Sequence, residues 1–253
     1  MNFKQLHFSN NPIVICNVWD VQSAQIAKQL GYNVIGTSSG AIATMLGYKD
    51  GEEISFEELE YIVRRITTSV DLPLTVDLES GYSREPDTVV EYTRKLAQLG
   101  VKGINIEDSI VKNGRSLLPA NEFSRFLSEI TAQLLEDEID LYVNVRTDAF
   151  LLELPDPLEA TIRRGQQYAE AGASGLFVPC IEEENHIETV VQRIKLHLNV
   201  MAMPKLPSFE KLNELGVKRI SMGTSVYGTL NESLKCLLSK IKDDQSFTSI
   251  FDQ

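Results

Sequence analysis

The chain has 253 residues, 43% of them hydrophobic and 24% charged, and its formal net charge is −12. These values are typical of a globular protein with one large α/β domain, and the negative charge makes nucleic acid and anionic membranes poor partners. The sequence has no apolar run of about 18 residues, no signal-peptide core at its N-terminus and three widely spaced cysteines, so we expect a cytoplasmic protein with reduced thiols.

Short apolar runs alternate with amphipathic helical patterns along the whole chain. Eight such runs occur, at residues 13–18, 34–37, 74–77, 103–107, 141–146, 175–178, 200–203 and 219–222. This alternation predicts βαβ units, and eight strands close a (β/α)₈ TIM barrel. A doubly wound open sheet is the alternative, although no G-x-G-x-x-G fingerprint follows the first strand. We therefore predict a single barrel domain over residues 1–253, with residues 224–253 as a C-terminal helical segment and tail.

Two local features refine this prediction. Four helices are expected to end at a glycine in the left-handed conformation, directly before the next strand: Gly31, Gly100, Gly172 and Gly216. The connection from Asp108 to Asn121 is long and polar, and long connections without secondary structure often form active-site lids. We expect this segment to be a mobile lid.

Acidic residues crowd the predicted strand ends, where (β/α)₈ barrels carry their active sites. The charged residues at these ends are Asp20, Asp77, Glu79, Glu107, Asp108, Arg146 and Asp148. Converging carboxylates repel one another unless a cation lies among them, and oxygen ligands suit Mg²⁺ or Mn²⁺. Alone, each acid could be a helix cap or a solvated strand end, and Arg146 could pair with a buried acid. Together they favour a metal site beside an arginine, with Asp148 acting indirectly.

Other candidates give weaker signals. Residues Thr37, Ser38, Ser39 and Gly40 follow the second strand and could hold an acid group through hydroxyl and backbone N–H groups, or simply cap a helix. None of the three histidines, which lie near the terminus or in helical patterns, is expected to be catalytic. Cys180 follows the sixth strand, but a lone cysteine is more often a small buried apolar group.

From the "NVWD" at residues 17–20 to the "MGTSVYG" at residues 222–228, these motifs resemble the isocitrate lyase/phosphoenolpyruvate mutase family. The resemblance implies a modified (β/α)₈ barrel that binds Mg²⁺ at an Asp-x-Asp-x-Gly-Tyr motif, which stands here at residues 77–82. It assigns Asp77, Glu79 and Glu107 to the metal, with Asp50 as a further acid near it. It also assigns Trp19, Thr37, Ser38, Ser39, Gly40 and Arg146 to the substrate.

The sequence departs from the family pattern in the lid and in the metal motif. Isocitrate and methylisocitrate lyases carry a catalytic cysteine in the lid, whereas residues 111–116 here read "VKNGRS". The same segment matches the asparagine-containing loop of the phosphomutases only loosely, and their histidine after the sixth strand is replaced near Pro179. The second acid of the metal motif is Glu79, which is one methylene longer than the usual aspartate.

We predict an Mg²⁺-dependent lyase, with Mn²⁺ as a possible replacement, that acts on a small 2-oxo or 2-hydroxy carboxylate. C–C cleavage or decarboxylation would proceed through a metal-stabilised enolate, with Arg146 and Asp50 in the catalytic set and Lys112 or Tyr82 as proton carrier. The alternatives are P–C bond chemistry of the phosphonomutase type and an impaired barrel that only binds an oxo-acid. The resemblance also implies a homodimer or homotetramer joined through the C-terminal helix, although its apolar stripe would equally suit packing on its own barrel.

Overall fold

The structure is a computed structural model that describes residues 3–251. Its barrel strands are β1 (Ile13–Val18), β2 (Ile35–Thr37), β3 (Leu74–Asp77), β4 (Gly103–Glu107), β7 (Tyr142–Arg146), β8 (Gly175–Phe177), β9 (His197–Met201) and β10 (Arg219–Ser221). All neighbouring pairs are parallel, and the barrel closes in the order β1-β10-β9-β8-β7-β4-β3-β2. The predicted (β/α)₈ barrel is confirmed, and the open doubly wound alternative is wrong.

Helices connect the strands and cover the outside of the barrel. They are α1 (Phe3–Leu6), α2 (Val21–Gln29), α3 (Ser39–Leu46), α4 (Phe56–Thr67), α5 (Pro86–Gln98), α6 (Ala120–Glu136), α7 (Pro157–Glu170), α8 (Glu184–Arg193), α9 (Phe209–Glu214), α10 (Ser225–Asp244) and α11 (Thr248–Phe251). Local chemistry sets their boundaries: Asp20 caps α2 by accepting a hydrogen bond from the backbone N–H of Ser23, and Ser55 caps α4 in the same way through Glu58. No helix within residues 3–251 is long and apolar enough to cross a bilayer.

Three details differ from the sequence-based expectations or sharpen them. Residues 108–121 are not structureless, because β5 (Ser109–Val111) and β6 (Arg115–Leu117) pair there as an antiparallel hairpin. The seventh barrel strand runs from His197 to Met201 rather than over residues 200–203, so His197 begins a strand and does not belong to a helical pattern. The four glycines expected to end helices all have φ between +80° and +90°, as predicted.

The apolar core lies between the strands and the helices, whereas the inside of the barrel is polar. Leu59, Val63 and Ile66 of α4 are fully buried against the sheet, as the helical spacing predicts. At the amino ends of the strands, His7 stacks on Tyr142 with ring centroids 3.9 Å apart. The opposite end of the barrel opens into a pocket.

Candidate active site

The pocket lies at the carboxyl ends of the barrel strands and has a volume of about 240 Å³. The last residues of six strands line it: Thr37, Asp77, Arg146, Phe177, Met201 and Ser221. Because parallel strands all end on one side of the barrel, side chains that are far apart in sequence meet there. Its remaining lining residues are Asn17, Gly36, Ser38, Ser39, Gly40, Asp50, Thr75, Asn105, Arg115, Leu151, Pro179, Arg219, Gly223 and Thr224.

Arg146 is held on one side of the pocket by two carboxylates. Its Nε lies 2.6 Å from Asp148 Oδ1, its Nη2 lies 3.2 Å from Asp148 Oδ2, and its Nη1 lies 3.1 Å from Glu107 Oε2. Burial works against the charged guanidinium, but Glu107 and Asp148 outweigh it and raise the pKa of Arg146. The arginine is therefore fixed in position and charged, as a binding site for a carboxylate requires.

Arg115 reaches the same carboxylates from the hairpin. Its Nη1 donates to Glu107 and, at 3.0 Å, to Asp148 Oδ2, while its Nη2 lies 3.5 Å from Asp50 Oδ2. Lys112 was the expected catalytic residue of this segment, but its side chain is exposed near the hairpin turn and does not line the pocket. The hairpin thus brings a guanidinium to the site in place of an amine or a thiol.

Asp77 and Glu79 have no arginine partners of the kind that Glu107 and Asp148 have. In the described part of the chain, no basic group lies within ion-pair distance of either carboxylate. Burial, with Arg146 opposing and Asp50 adding to it, raises the pKa of Asp77. Burial, together with Asp50 and Asp77, raises the pKa of Glu79 to about 8. These are the acids whose repulsion a cation would relieve.

The extra methylene of Glu79 brings its carboxylate to two donors. Oε1 accepts a hydrogen bond of 2.8 Å from the Tyr82 hydroxyl, and Oε2 accepts one of 2.6 Å from the backbone N–H of Glu52. Glu79 and Tyr82 are both outside the pocket lining, and burial raises the pKa of the Tyr82 phenol. Tyr82 therefore holds the metal-motif turn in place, and its hydroxyl is not directed at a substrate in the pocket.

Residues 37–40 do more than start a helix. Thr37 Oγ1 accepts a hydrogen bond from the backbone N–H of Asp77, and the Ser39 hydroxyl donates to Asp77 Oδ2 at 2.9 Å. Ser38 is the N-cap of α3 but makes no capping bond through its side chain. A Cβ at Gly40 would lie 2.9 Å from Thr224 Cγ2, so only glycine allows this close approach. The segment orients Asp77 and leaves the first N–H groups of α3 beside the pocket.

Asp50 lies on a loop that joins the hairpin to the metal-motif turn. Gly51 has φ +118°, and a Cβ there would lie 2.7 Å from Val111 Cβ on β5. The next residue, Glu52, accepts a hydrogen bond from the backbone N–H of Tyr82 and pairs with Arg84 at 2.6 Å. The hairpin therefore packs directly on the loop that carries Asp50.

Three further sequence candidates lie outside the pocket. Trp19 packs against Tyr227 with ring centroids 4.9 Å apart and does not line the pocket. Asp148 is fully buried and holds both arginines, which agrees with an indirect role. Cys180 is partly buried, and burial raises the pKa of its thiol, so it is not an activated nucleophile.

The three acids predicted to bind metal do not form one cluster. Within residues 3–251, no group of three or more acidic, histidine or cysteine side chains is arranged to hold a metal ion. Glu107 is directed to Arg115 and Arg146 in this structure, and its predicted part in the metal site stays a prediction. Asp77 and Glu79 still fit a cation, because Mg²⁺ commonly takes one or two carboxylates and completes its shell with water and substrate oxygens.

Sequence inspection missed the polar residues inside the barrel. Asn17, Thr75, Asn105, Ser221 and Arg219 line the pocket. They lie within apolar-looking strands, and only their alternation with apolar neighbours could have indicated that they point inward. Arg219, the first residue of β10, is the charged member of this group and is only 2% exposed.

The amino-acid sequence matches a known family over most of its length. The model of the phosphoenolpyruvate phosphomutase family matches residues 3–242. The chain belongs to this family. An uncharacterized protein of Mycobacterium tuberculosis is 31% identical over 227 residues, which are 90% of this chain and 83% of that protein.

Two further relatives differ in the activity that their names describe. The oxaloacetate decarboxylase of Pseudomonas syringae pv. tomato is 29% identical over 248 residues, 93% of this chain and 82% of that enzyme. A crystal structure described as a putative phosphonomutase from Burkholderia cenocepacia is 33% identical, with a TM-score of 0.88, and the match covers 94% of this chain and 97% of that one. The family therefore includes both lyases and enzymes of phosphonate chemistry.

Proposed function

We propose that the chain is a divalent-metal-dependent lyase that breaks a C–C bond in a small 2-oxo or 2-hydroxy carboxylate. The observation that carries this proposal is the juxtaposition in one pocket of Arg146, a fixed carboxylate-binding group, with Asp77, whose charge no described basic side chain balances. The similarity to oxaloacetate decarboxylases over most of the chain supports the same reaction class.

Asp77 and Glu79 would hold the metal, with Mg²⁺ as the first choice and Mn²⁺ as a replacement. Their oxygen donors and raised pKa values suit a hard divalent cation. When bound, the ion would supply a Lewis acid for the keto oxygen of the substrate, which would allow the C–C bond between the α- and β-carbons to break.

The chain's own residues bind and orient the substrate. Arg146 takes one carboxylate of the substrate, while the hydroxyls of Thr37 and Ser38 and the first N–H groups of α3 support the oxygens beside it. Asp50 lines the pocket with a side chain that is 44% exposed, and it is our choice of proton carrier. We expect the hairpin with Arg115 to close over the site when substrate binds and then to exclude water.

Phosphonomutase chemistry is the second candidate, favoured by the similarity to the Burkholderia structure. The two are separated by incubating the protein and Mg²⁺ with oxaloacetate or phosphonopyruvate and following products by NMR, with EDTA as the control. The lyase proposal predicts C–C cleavage products that disappear with EDTA. Turnover of phosphonopyruvate alone would contradict it, and saturable binding without turnover of either acid would indicate a barrel that only binds oxo-acids.

We also propose a homodimer or homotetramer assembled through α10. None of its 20 residues is buried, and Val226, Leu230, Leu234 and Leu238 recur every four residues with about half of each side chain exposed. Such a stripe needs a covering surface, and its own barrel does not provide one. Light scattering should give a dimer or tetramer mass, and Leu230→Glu with Leu234→Glu should give a monomer. A monomeric wild type would contradict the proposal.

The remaining expectations concern the domain and the compartment. We propose that residues 1–253 act as one barrel domain with α10 and the tail as its C-terminal segment; Met1, Asn2, Asp252 and Gln253 lie outside the described residues. A cytoplasmic location also stays a prediction. Cell fractionation tests it, and recovery in an extracellular fraction would contradict it.

A further inference from the structure

The floor of the pocket is polar, where barrels of this kind usually pack branched apolar side chains. Asn144 Nδ2 donates to Asn105 Oδ1 at 2.9 Å and to Asn199 Oδ1 at 3.0 Å. Arg219 Nη2 donates to the same Asn105 oxygen at 3.2 Å and lies 3.4 Å from Thr75 Oγ1. Burying so many polar groups costs stability unless each of them is hydrogen-bonded.

Arg219 is incompletely satisfied in this network. Its Nε and Nη1 are buried and have no hydrogen-bond partner, and no carboxylate of residues 3–251 lies within ion-pair distance of it. Burial lowers the pKa of Arg219 to about 10, which leaves the guanidinium charged at neutral pH. Tyr142 and Asp77 oppose this lowering of the pKa from a distance, but no carboxylate within residues 3–251 pairs with the guanidinium directly, which is destabilising for a buried charge.

The other two arginines that line the pocket are balanced. Arg115 and Arg146 share Glu107 and Asp148, so each of these guanidinium groups has carboxylate partners within the protein. Arg219 has positive charge and hydrogen-bond donors to spare, and it lines the same pocket at the floor. An anionic group that enters the barrel from the rim is therefore the natural partner of Arg219.

We propose that Arg219, with Asn105 and Thr75, forms an anion subsite at the pocket floor that binds the second carboxylate of a dicarboxylate substrate. This inference deepens the proposed function and rests on it, because Arg146 is taken to bind the first carboxylate. It narrows the substrate class to dicarboxylic acids of a size that spans the pocket from rim to floor. Arg219 then determines specificity and would touch the substrate without taking part in bond breaking.

Stability provides the first test, with a matched control on the same chain. Arg164 is also buried, but it pairs with Asp108 at 2.9 Å and with the Tyr168 hydroxyl at 3.0 Å. Arg219→Met should leave the midpoint of urea unfolding unchanged or raised, because it removes an unbalanced charge. Arg164→Met should lower the midpoint, because it leaves Asp108 without its partner. A drop for Arg219→Met as large as that for Arg164→Met would show a structural role and overturn the proposal.

Ligand binding provides the second test and does not depend on turnover. Succinate and succinamate have nearly the same shape and differ by one negative charge, so their dissociation constants report the second carboxylate. Wild type should bind succinate roughly 10- to 100-fold more tightly, as expected for a hydrogen-bonded charge, and Arg219→Met should bind the two about equally. If the preference persists in Arg219→Met, the floor subsite is wrong.

The two proposals can fail separately. In one outcome, wild type cleaves oxaloacetate and Arg219→Met still prefers succinate. This outcome would support the lyase proposal and contradict the floor subsite. In the other outcome, the preference for succinate depends on Arg219 but no oxo-acid is turned over. This outcome would support the subsite and contradict the lyase proposal.

Discussion

Two groups of charged side chains lie around one pocket and differ in how their charges are balanced. On one side, Arg115 and Arg146 bracket Glu107 and Asp148, and every member has an opposite charge within 3.1 Å. On the other side, Asp77 and Glu79 have no described cation beside them. The balanced group is a preformed frame that holds Arg146, whereas the unbalanced acids are kept at a cost to stability that a bound cation would offset.

Removing Arg146 should have the largest effect. Arg146→Met takes away the substrate's carboxylate partner and leaves Asp148 short of one counter-ion, so we expect kcat/KM to fall by about 10³-fold and the free energy of unfolding by about 3–5 kcal/mol. Steady-state kinetics and urea unfolding measure the two effects. Arg193→Met, which breaks only an exposed pair with Glu159, is the control and should cost less than about 1 kcal/mol. A kcat/KM within tenfold of wild type would contradict a substrate-binding role for Arg146.

Neutralising one acid of each group should change the free energy of unfolding in different directions. Asp148→Asn should lower the free energy of unfolding by about 3 kcal/mol, because two partly buried arginines lose a shared carboxylate. Asp77→Asn should leave the stability of the metal-free protein unchanged or slightly raised, because the cost of burying its charge outweighs the favourable effects of Arg146 and of the hydrogen bond from Ser39. Urea unfolding in EDTA measures both, and an equal loss for the two variants would mean that the distinction does not exist.

The pH dependence of stability should reveal the unbalanced acids. The pKa of Glu79 rises from an ordinary value of 4.5 to about 8 on folding, so between these values the folded protein binds a proton that the unfolded chain lacks. The metal-free protein should therefore be stabilised by this proton below about pH 4.5 and lose that contribution, a few kcal/mol, as the pH rises to about 8. Unfolding at pH 5 and pH 8 checks this. Glu79→Gln should reduce the dependence of the free energy of unfolding on pH. An unchanged dependence would mean that other groups cause it.

The hairpin gives the smallest expected effect. Gly51→Ala would force a left-handed alanine against Val111, so we expect the hairpin to shift, with a loss of about 1–2 kcal/mol and a roughly tenfold lower kcat/KM. Lys112→Ala is the control, since this exposed side chain does not line the pocket, and its kcat/KM should stay within about twofold. The reverse order of effects would restore Lys112 as the important residue of the hairpin.

The parts of the site fixed by topology could be predicted from the sequence. Asp77, Arg146 and Thr37 are the last residues of their strands, and a parallel barrel brings all strand ends together, so their meeting follows from the strand pattern alone. The shift of the seventh strand shows that boundaries are less certain, because His197 is polar and does not look like the start of an apolar run.

The pairing of charges could not be predicted in the same way. Spacing places Glu107 beside the other acids, and the barrel register places it opposite Arg146, but its second partner, Arg115, depends on where the hairpin folds back. Register decides that Arg115 pairs with Val111 and turns inward, while Lys112 stays outside. Arg219 was missed because a charged residue at the start of a strand is usually solvated, and only the closed barrel encloses it.

Metal binding by three variants tests the central claim most directly. We predict that wild type and Glu107→Gln bind one Mn²⁺ per chain, detected by electron paramagnetic resonance, and that Mg²⁺ competes for it. Asp77→Asn should bind at least tenfold more weakly. Loss of Mn²⁺ binding in Glu107→Gln together with its retention in Asp77→Asn would place the cation among the balanced charges and contradict the account.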